Sequence, residues 1–187
     1  MFYPIHPGYF YPPHNPEQVQ VVDNPPEDMV PELPGETVEL PWRAYRWVPA
    51  CSSQNSLPPG ALHVGTDIDG ADVYAARSPH EGHILPAKFI PSKNVCYVAF
   101  NGEEIVKDQF EVLVPAMFQW QFSTNGEVPP GAVVAGTTED GEELYFGRVT
   151  HDGCTTPGKI HKSHGCCYYP FAGEERNSTE YEVLVFI

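Results

Sequence analysis

One segment of this chain is written twice, and that restricts the fold more than any other feature. The first writing runs from Gly65 to Lys88, GTDIDGADVYAARSPHEGHILPAK. The second runs from Gly136 to Lys159, GTTEDGEELYFGRVTHDGCTTPGK. Each holds an acidic Gly turn, a Tyr-bearing strand, an Arg, a His-x-Gly turn and a Pro-x-Lys, in that order. Laid over each other at an offset of 71 residues, Pro58 to Val114 and Pro129 to Val185 need no gap, and 25 of 57 positions are identical. Trp47 and Trp120 open the copies, which we bound at 47–114 and 120–187. A copy of this size is too small for a generous core of its own. The expectation is therefore one pseudo-symmetric body in which the copies pack together, with exchange of strands as one way to do so.

The texture inside each copy is that of strands. ALHVGT, DVYAAR, NVCYVAF and FEVLV in the first half face AVVAG, ELYFGR, CCYYPF and YEVLV in the second. These runs are short, rich in Val and Tyr, and bounded by Gly, Pro, Asn and Asp. No amphipathic helical window of useful length occurs. The fold class is all-β, an antiparallel body. Residues 1–40 differ. They are rich in Pro, Tyr and acid, and the recurrent Pro removes the donors a helix needs. They read as a flexible arm or spacer. Its aromatics Phe2, Tyr3, Tyr9, Phe10 and Tyr11 suit docking on the body or on a partner protein. A first strand over 37–45 would lead into the fold.

Charge excludes some partners. The chain carries 25 acidic and 10 basic residues, a net charge of −15. Such a field repels nucleic acid and anionic membrane surfaces. No apolar run approaches the eighteen or so residues of a membrane span, so no transmembrane segment is expected. The first thirty residues show no signal peptide pattern, and the expectation is a cytoplasmic protein, with vesicle association as the variant. Five cysteines without a secretory signal read as reduced thiols. Asn177-Ser178-Thr179 matches a glycosylation sequon and reads as a polar loop.

Taken together, Trp, Pro-Pro-Gly-Ala, Asp-Gly, Tyr-x-x-Arg, His-x-Gly, Pro-Gly-Lys, Gly-x-Glu and Tyr-Glu-Val-Leu resemble the DM9 repeat. The resemblance covers Trp47 to Ile187 and leaves out the Pro-rich arm. The family it points to includes mannose-specific lectins of molluscs, infection-responsive insect proteins and natterin-type fish toxins. The resemblance implies non-catalytic recognition of mannose-type glycans in innate defence, through an acid of the Asp-x-Asp-Gly segment and the Lys of Pro-Gly-Lys. Carried onto this chain, the ligand-binding candidates are Asp67, Asp69 and Lys88 in the first copy, and Asp140 and Lys159 in the second. Asp67 with Lys88 is the strongest pair. Thr138 replaces the first acid in the second copy, so Lys159 faces Thr138. Ala87 replaces the Gly of Pro-Gly-Lys in the first, which would disturb a backbone needing positive φ.

The residue types suit a neutral sugar. A carboxylate accepts from vicinal hydroxyls, an ammonium donates to them, and an aromatic covers the C–H face. Each candidate also has a plainer reading. Asp69 and Asp140 fit turn-amide acceptors. Tyr74 and Tyr145 fit the core, as do Trp47 and Trp120. Arg77 and Arg148 fit structural pairs with Glu103, Glu104, Glu174 or Glu175. His151, Cys154, His161, His164, Cys166 and Cys167 are zinc-type ligands at a spacing that fits no standard finger, so no metal and no cofactor is expected. No phosphate loop or Ser elbow points to an enzyme. A homodimer would add avidity to two weak sites. The alternative function is an intracellular or vesicle-associated interaction scaffold without sugar binding.

Overall fold

The computed structural model describes residues 45–54, 57–114 and 117–187. The arm and all but the last residue of the first expected strand lie outside these residues. The first copy forms β1 (Arg46–Cys51), β2 (His63–Thr66), β3 (Asp72–His80), β4 (His83–Ile90), β5 (Val95–Phe100), β6 (Glu103–Lys107) and β7 (Gln109–Val114). The second forms β8 (Phe118–Thr124), β9 (Val134–Thr137), β10 (Glu143–His151), β11 (Cys154–His161), β12 (Cys166–Phe171), β13 (Glu174–Ser178) and β14 (Glu180–Phe186). The all-β expectation holds. Among the described residues, helix is limited to short 3₁₀ turns such as Pro91–Lys93 and Lys162–His164. No helix among them is long and apolar enough to cross a membrane.

The hairpins follow from their turns. Glu81-Gly82, Asn101-Gly102, Asp152-Gly153 and Ala172-Gly173 each place two successive residues at positive φ. That is the type I′ geometry, whose twist matches the flanking strands. β3 and β10 then show the same alternation of burial, because equivalent residues meet equivalent surroundings. β4 and β11, each with an internal proline, are not among the strand runs read from the sequence. Pro86 and Pro157 stand just outside the ladders to β5 and β12, which begin at Ala87 and Lys159. The missing donor therefore costs no ladder bond there. β13 takes in Asn177 and Ser178, with Asn177 paired to Tyr168, so most of the sequon lies in a strand and not a loop.

The two copies share one sheet. Its path runs β1-β7-β3-β4-β5-β6-β13-β12-β11-β10-β14-β8, and β9 pairs with both β10 and β4. The pairing β4-β5-β6-β13-β12-β11-β10-β9 returns to β4 and closes a barrel. Two seams join the copies: Glu103 opposite Glu174, and Ile84 opposite Thr137. Close approach at the second seam explains a retained glycine. A Cβ on Gly136 would lie 1.9 Å from the Ile84 carbonyl oxygen, and one on Gly65 would lie 2.5 Å from Thr155 Cβ. Only glycine lets β9 and β2 press on the opposite copy.

The core is continuous across the copies. Val73, Ile90 and Leu113 of the first pack with Val133, Phe146 and Leu184 of the second. Trp47 and Trp120 both lie against this cluster, each 6.4 Å from the Phe146 ring. Arg77 and Arg148 sit over those indoles, at 4.4 and 4.2 Å. Their carboxylate partners are Glu111 and Glu182, at 2.7 and 2.6 Å. The expected partners from the Gly-Glu-Glu turns were wrong. β7 and β14 place Glu111 and Glu182 directly opposite the arginines across the ladder.

Candidate functional site

Among the clefts of the body, two are equivalents under the 71-residue offset. The first has a volume of about 230 Å³ and the second about 270 Å³. Both fall just below the roughly 300–1,000 Å³ of drug-sized ligand sites, a scale for one small ring. Asp67, Lys88, Lys93, Tyr97 and Glu104 of the first copy line the first cleft. Phe171 and Ala172 of the second copy complete it. Thr138, Lys159, His164, Tyr168 and Glu175 line the other, completed by Phe100 and Asn101 of the first copy. Neither copy builds a whole cleft alone.

A buried lysine forms the floor of each. Lys88 Nζ lies 2.8 Å from Glu104 Oε1 and donates to the Pro170 carbonyl at 3.1 Å. Lys159 Nζ lies 2.8 Å from Glu175 Oε1 and donates to the Ala99 carbonyl at 2.8 Å. Each carbonyl belongs to the opposite copy, and the two carbonyls are themselves equivalents. The glutamates reach across as well. Glu104 Oε2 accepts from the Gly173 N–H at 2.7 Å, and Glu175 Oε2 accepts from the Gly102 N–H at 2.8 Å. Both lysines are almost fully buried. An ammonium has three donors. One hydrogen-bonds the carbonyl, and the glutamate contact is an ion pair that leaves Glu104 Oε1 and Glu175 Oε1 without a hydrogen bond. The Tyr97 ring lies 5.2 Å from Lys88 Nζ, and the Tyr168 ring 5.3 Å from Lys159 Nζ.

The acidic turn behaves differently in the two clefts. In the first, Asp67 and Asp69 both hold Lys93, at 2.6 and 2.8 Å. Hydrogen bonding to Asp67 raises the Lys93 ammonium above its ordinary range, and Lys93 in turn lowers the Asp69 carboxyl. Asp69 also accepts from the Ala71 N–H at 3.1 Å, the turn role the sequence allowed for it. In the second cleft, Thr138 Oγ1 accepts from the Glu142 N–H at 2.9 Å. Glu142 accepts from Ser163 N–H and Oγ, at 3.0 and 2.8 Å, and lies 3.2 Å from His161 Nε2. The Ser163 amide draws the Glu142 carboxyl below its usual range. Burial pushes His161 down, with His164 adding to the effect.

The structure thus brings Asp67 and Lys88 to one cleft and Lys159 to the other. Asp67 faces Lys93 instead of pairing directly with Lys88. Asp69 stands exposed at the rim, and Asp140 lies exposed at a turn outside both clefts. Glu104 and Glu175 were missed as site residues. A signal for them existed, since Gly-Glu-Glu is identical in both copies and a retained buried lysine needs a retained acid. Lys93 and the cross-copy aromatics left no signal, because they differ between copies or arrive from the other half, and His161 and His164 stood out only as zinc-type ligands. Gly158 is not at positive φ. A Cβ there would lie 2.4 Å from the Tyr168 carbonyl oxygen, so the requirement is space. Ala87 therefore marks a less crowded crossing in the first copy and not a disturbed turn. Among the described residues no group of three His, Cys, Asp or Glu side chains gathers as a metal site, and the five cysteines are unbridged.

The fold and clefts can now be set beside known proteins. The model of the DM9 repeat family matches residues 67–178, more than half of the chain. Natterin-4 of Thalassophryne nattereri is 29% identical over 132 residues, covering 68% of this chain and 31% of natterin-4. The crystal structure of the nematode sperm cell motility protein MFP2B superposes with a TM-score of 0.58 at 15% identity. That match covers 88% of this chain and 53% of the motility protein. At such identity the likeness concerns the fold. The chain spans about a third of the curated relative and about half of the solved one.

Proposed function

We propose, from the premise that this chain belongs to the DM9 repeat family, that its two clefts bind carbohydrate without catalysis. The body is read as two DM9-type repeats that build each cleft jointly. The first cleft, with Asp67, Lys88 and Tyr97, is assigned to a neutral hexose of mannose type. The observation that carries this reading is the floor lysine. A buried ammonium hydrogen-bonded to a carbonyl, beside a tyrosine ring and in one cleft with a carboxylate, offers a sugar its three contact types. Asp69 adds acid at the rim. Lys159 plays the same part in the second cleft. Asp140, outside both clefts, is assigned to the turn.

One such site is weak, near millimolar or about 4 kcal/mol for a monosaccharide. Two clefts per chain, and a homodimer, would raise avidity on a dense glycan surface. Innate defence is the setting that the family resemblance suggests. A cytoplasmic or vesicle-associated location and a partner protein for the arm belong to the same proposal. The test is binding to mannose polymers on an array, beside Asp67→Ala and Tyr97→Ala. Both variants leave the Lys88–Glu104 pair in place. Loss of signal in folded variants supports the reading, and no mannose signal from folded wild type sinks it.

A second reading rests on the occupied state of Asp67. Its carboxylate is already held by Lys93 at 2.6 Å. A sugar would have to displace that ammonium or share it. If it does not, the body serves as an interaction scaffold, and co-purified protein partners would replace glycan binding as the observable.

A further inference from the structure

We infer that the Lys159 cleft takes a sugar ring bearing an anionic group, and takes it together with a proton on the His161–His164 pair. The inference rests on reading the clefts as sugar sites, and it assigns the second one a ligand class of its own. Ile90 and Lys93 of the first cleft become His161 and His164 in the second. Lys93 is neutralised by Asp67 and Asp69. At the position of Asp67 the second cleft has Thr138, whose hydroxyl is spent on the Glu142 N–H. No acid of that turn reaches His164, and its Nδ1 lies 3.2 Å from the Tyr168 hydroxyl.

The two imidazoles stack, with centroids 3.6 Å apart and planes 33° from parallel. Two positive rings at that separation repel. The charges around them are countable. Lys159 is matched by Glu175. A first proton on His161 is matched by Glu142 at 3.2 Å. His83 lines the far wall, its Nδ1 accepting from the Glu139 N–H at 3.1 Å. His80 lies beyond it, 4.9 Å from the Phe100 ring. Lys162 stands over Tyr145 at 5.9 Å, and the Tyr145 hydroxyl is tied to Glu143. Any further proton on the cleft's imidazoles has no carboxylate of its own. An anion in the cleft supplies the missing countercharge. The chain's net charge of −15 opposes anions at long range. Salt limits that field to about 8 Å at physiological strength, so the local imidazoles decide.

The chemistry needed is a pyranose with a carboxylate, sulfate or phosphate. The experiment titrates the full chain with methyl glucuronide, glucose 6-sulfate and glucose 6-phosphate. Methyl mannoside serves as the neutral ring and inorganic phosphate as the ringless anion. Binding is read by calorimetry and by the histidine ring resonances, at about pH 5.5 and about pH 7.5, across the range where imidazoles titrate. With one proton taken up, affinity for the glucuronide and the sulfate, whose charge is constant over this range, rises by up to about tenfold per unit fall in pH. Methyl mannoside shows no such rise. His164→Lys places a fixed cation where no acid faces it, so acidic-sugar binding persists and its pH slope falls. Thr138→Asp restores the neutralising acid and abolishes the binding.

Acidic sugars that bind no better in acid, or an unchanged slope in His164→Lys, overturn the inference. Inorganic phosphate that binds as tightly as glucose 6-phosphate overturns the sugar part of it. Mannoside binding with no acidic-sugar signal sinks this inference and leaves the proposed function standing. The reverse result supports the inference and removes the neutral-hexose assignment. If no ring binds in either cleft, both fall together.

Discussion

Lys88 and Glu104 face each other across 2.8 Å in a space nearly closed to water, with side chains 4% and 8% exposed. Their union also ties the copies together, since Lys88 holds the Pro170 carbonyl and Glu104 holds the Gly173 amide. Removing one partner leaves a buried charge uncompensated. Lys88→Met should destabilise the body by about 3–5 kcal/mol. Adding Glu104→Gln should recover a large part of that loss, as chemical denaturation of the single and double variants would show. Equal stability of Lys88→Met and wild type would mean that the pair is open to solvent.

The second seam sets a steric limit. An added methyl at Gly136 meets the Ile84 carbonyl oxygen at 1.9 Å, and backbone cannot step aside as a flexible side chain can. Gly136→Ala should cost about 3 kcal/mol or more. Thermal unfolding followed by circular dichroism measures it. A variant as stable as wild type would contradict the β4–β9 contact.

Ala172 occupies a left-handed turn at φ 54, where its equivalent Asn101 sits at φ 51. Alanine gains nothing there, while asparagine tolerates the conformation. Ala172→Asn should stabilise by about 0.5–1 kcal/mol. A fall in melting temperature would argue that this turn differs from its partner.

Burial lowers the imidazoles of His80 and His161 below their ordinary 6.5. Between that value and the lowered ones, the unfolded chain binds protons that the folded chain refuses. The stability these groups confer is therefore full above pH 6.5 and is lost as pH falls through the window beneath it. Melting curves stepped through that range should show the loss, and His161→Ile should flatten it. A wild-type curve level from neutral pH to the carboxylate range would refute the assignment.

Much of this architecture was written in alternation and turns. DVYAAR and ELYFGR became β3 and β10, and Asn101-Gly102 became a hairpin. β4 and β11 escaped that reading, as did polar EERNS of β13, because a strand at the seam between copies need not alternate apolar with polar. The candidate site was half legible. Lys88 and Lys159 stood out because both copies keep them. Glu104 and Glu175 are kept in both copies too, but their pairing with the lysines was not legible, because hairpins bring them in and the capping carbonyls come from the other half. Distance across a pseudo-symmetry axis leaves little trace in one linear string. The arginine partners failed for a related reason: ladder register, and not nearness in sequence, selected Glu111 and Glu182.

Phe171 closes the cleft of Lys88, and Phe100 closes the cleft of Lys159. A polypeptide carrying one such unit would own a floor without a wall. Two identical chains would have to embrace to complete it, and every change in one cleft would then be copied in the other. Two units in one chain are free of that constraint. Aspartate stands at position 67 while threonine stands at 138, and the two clefts differ accordingly.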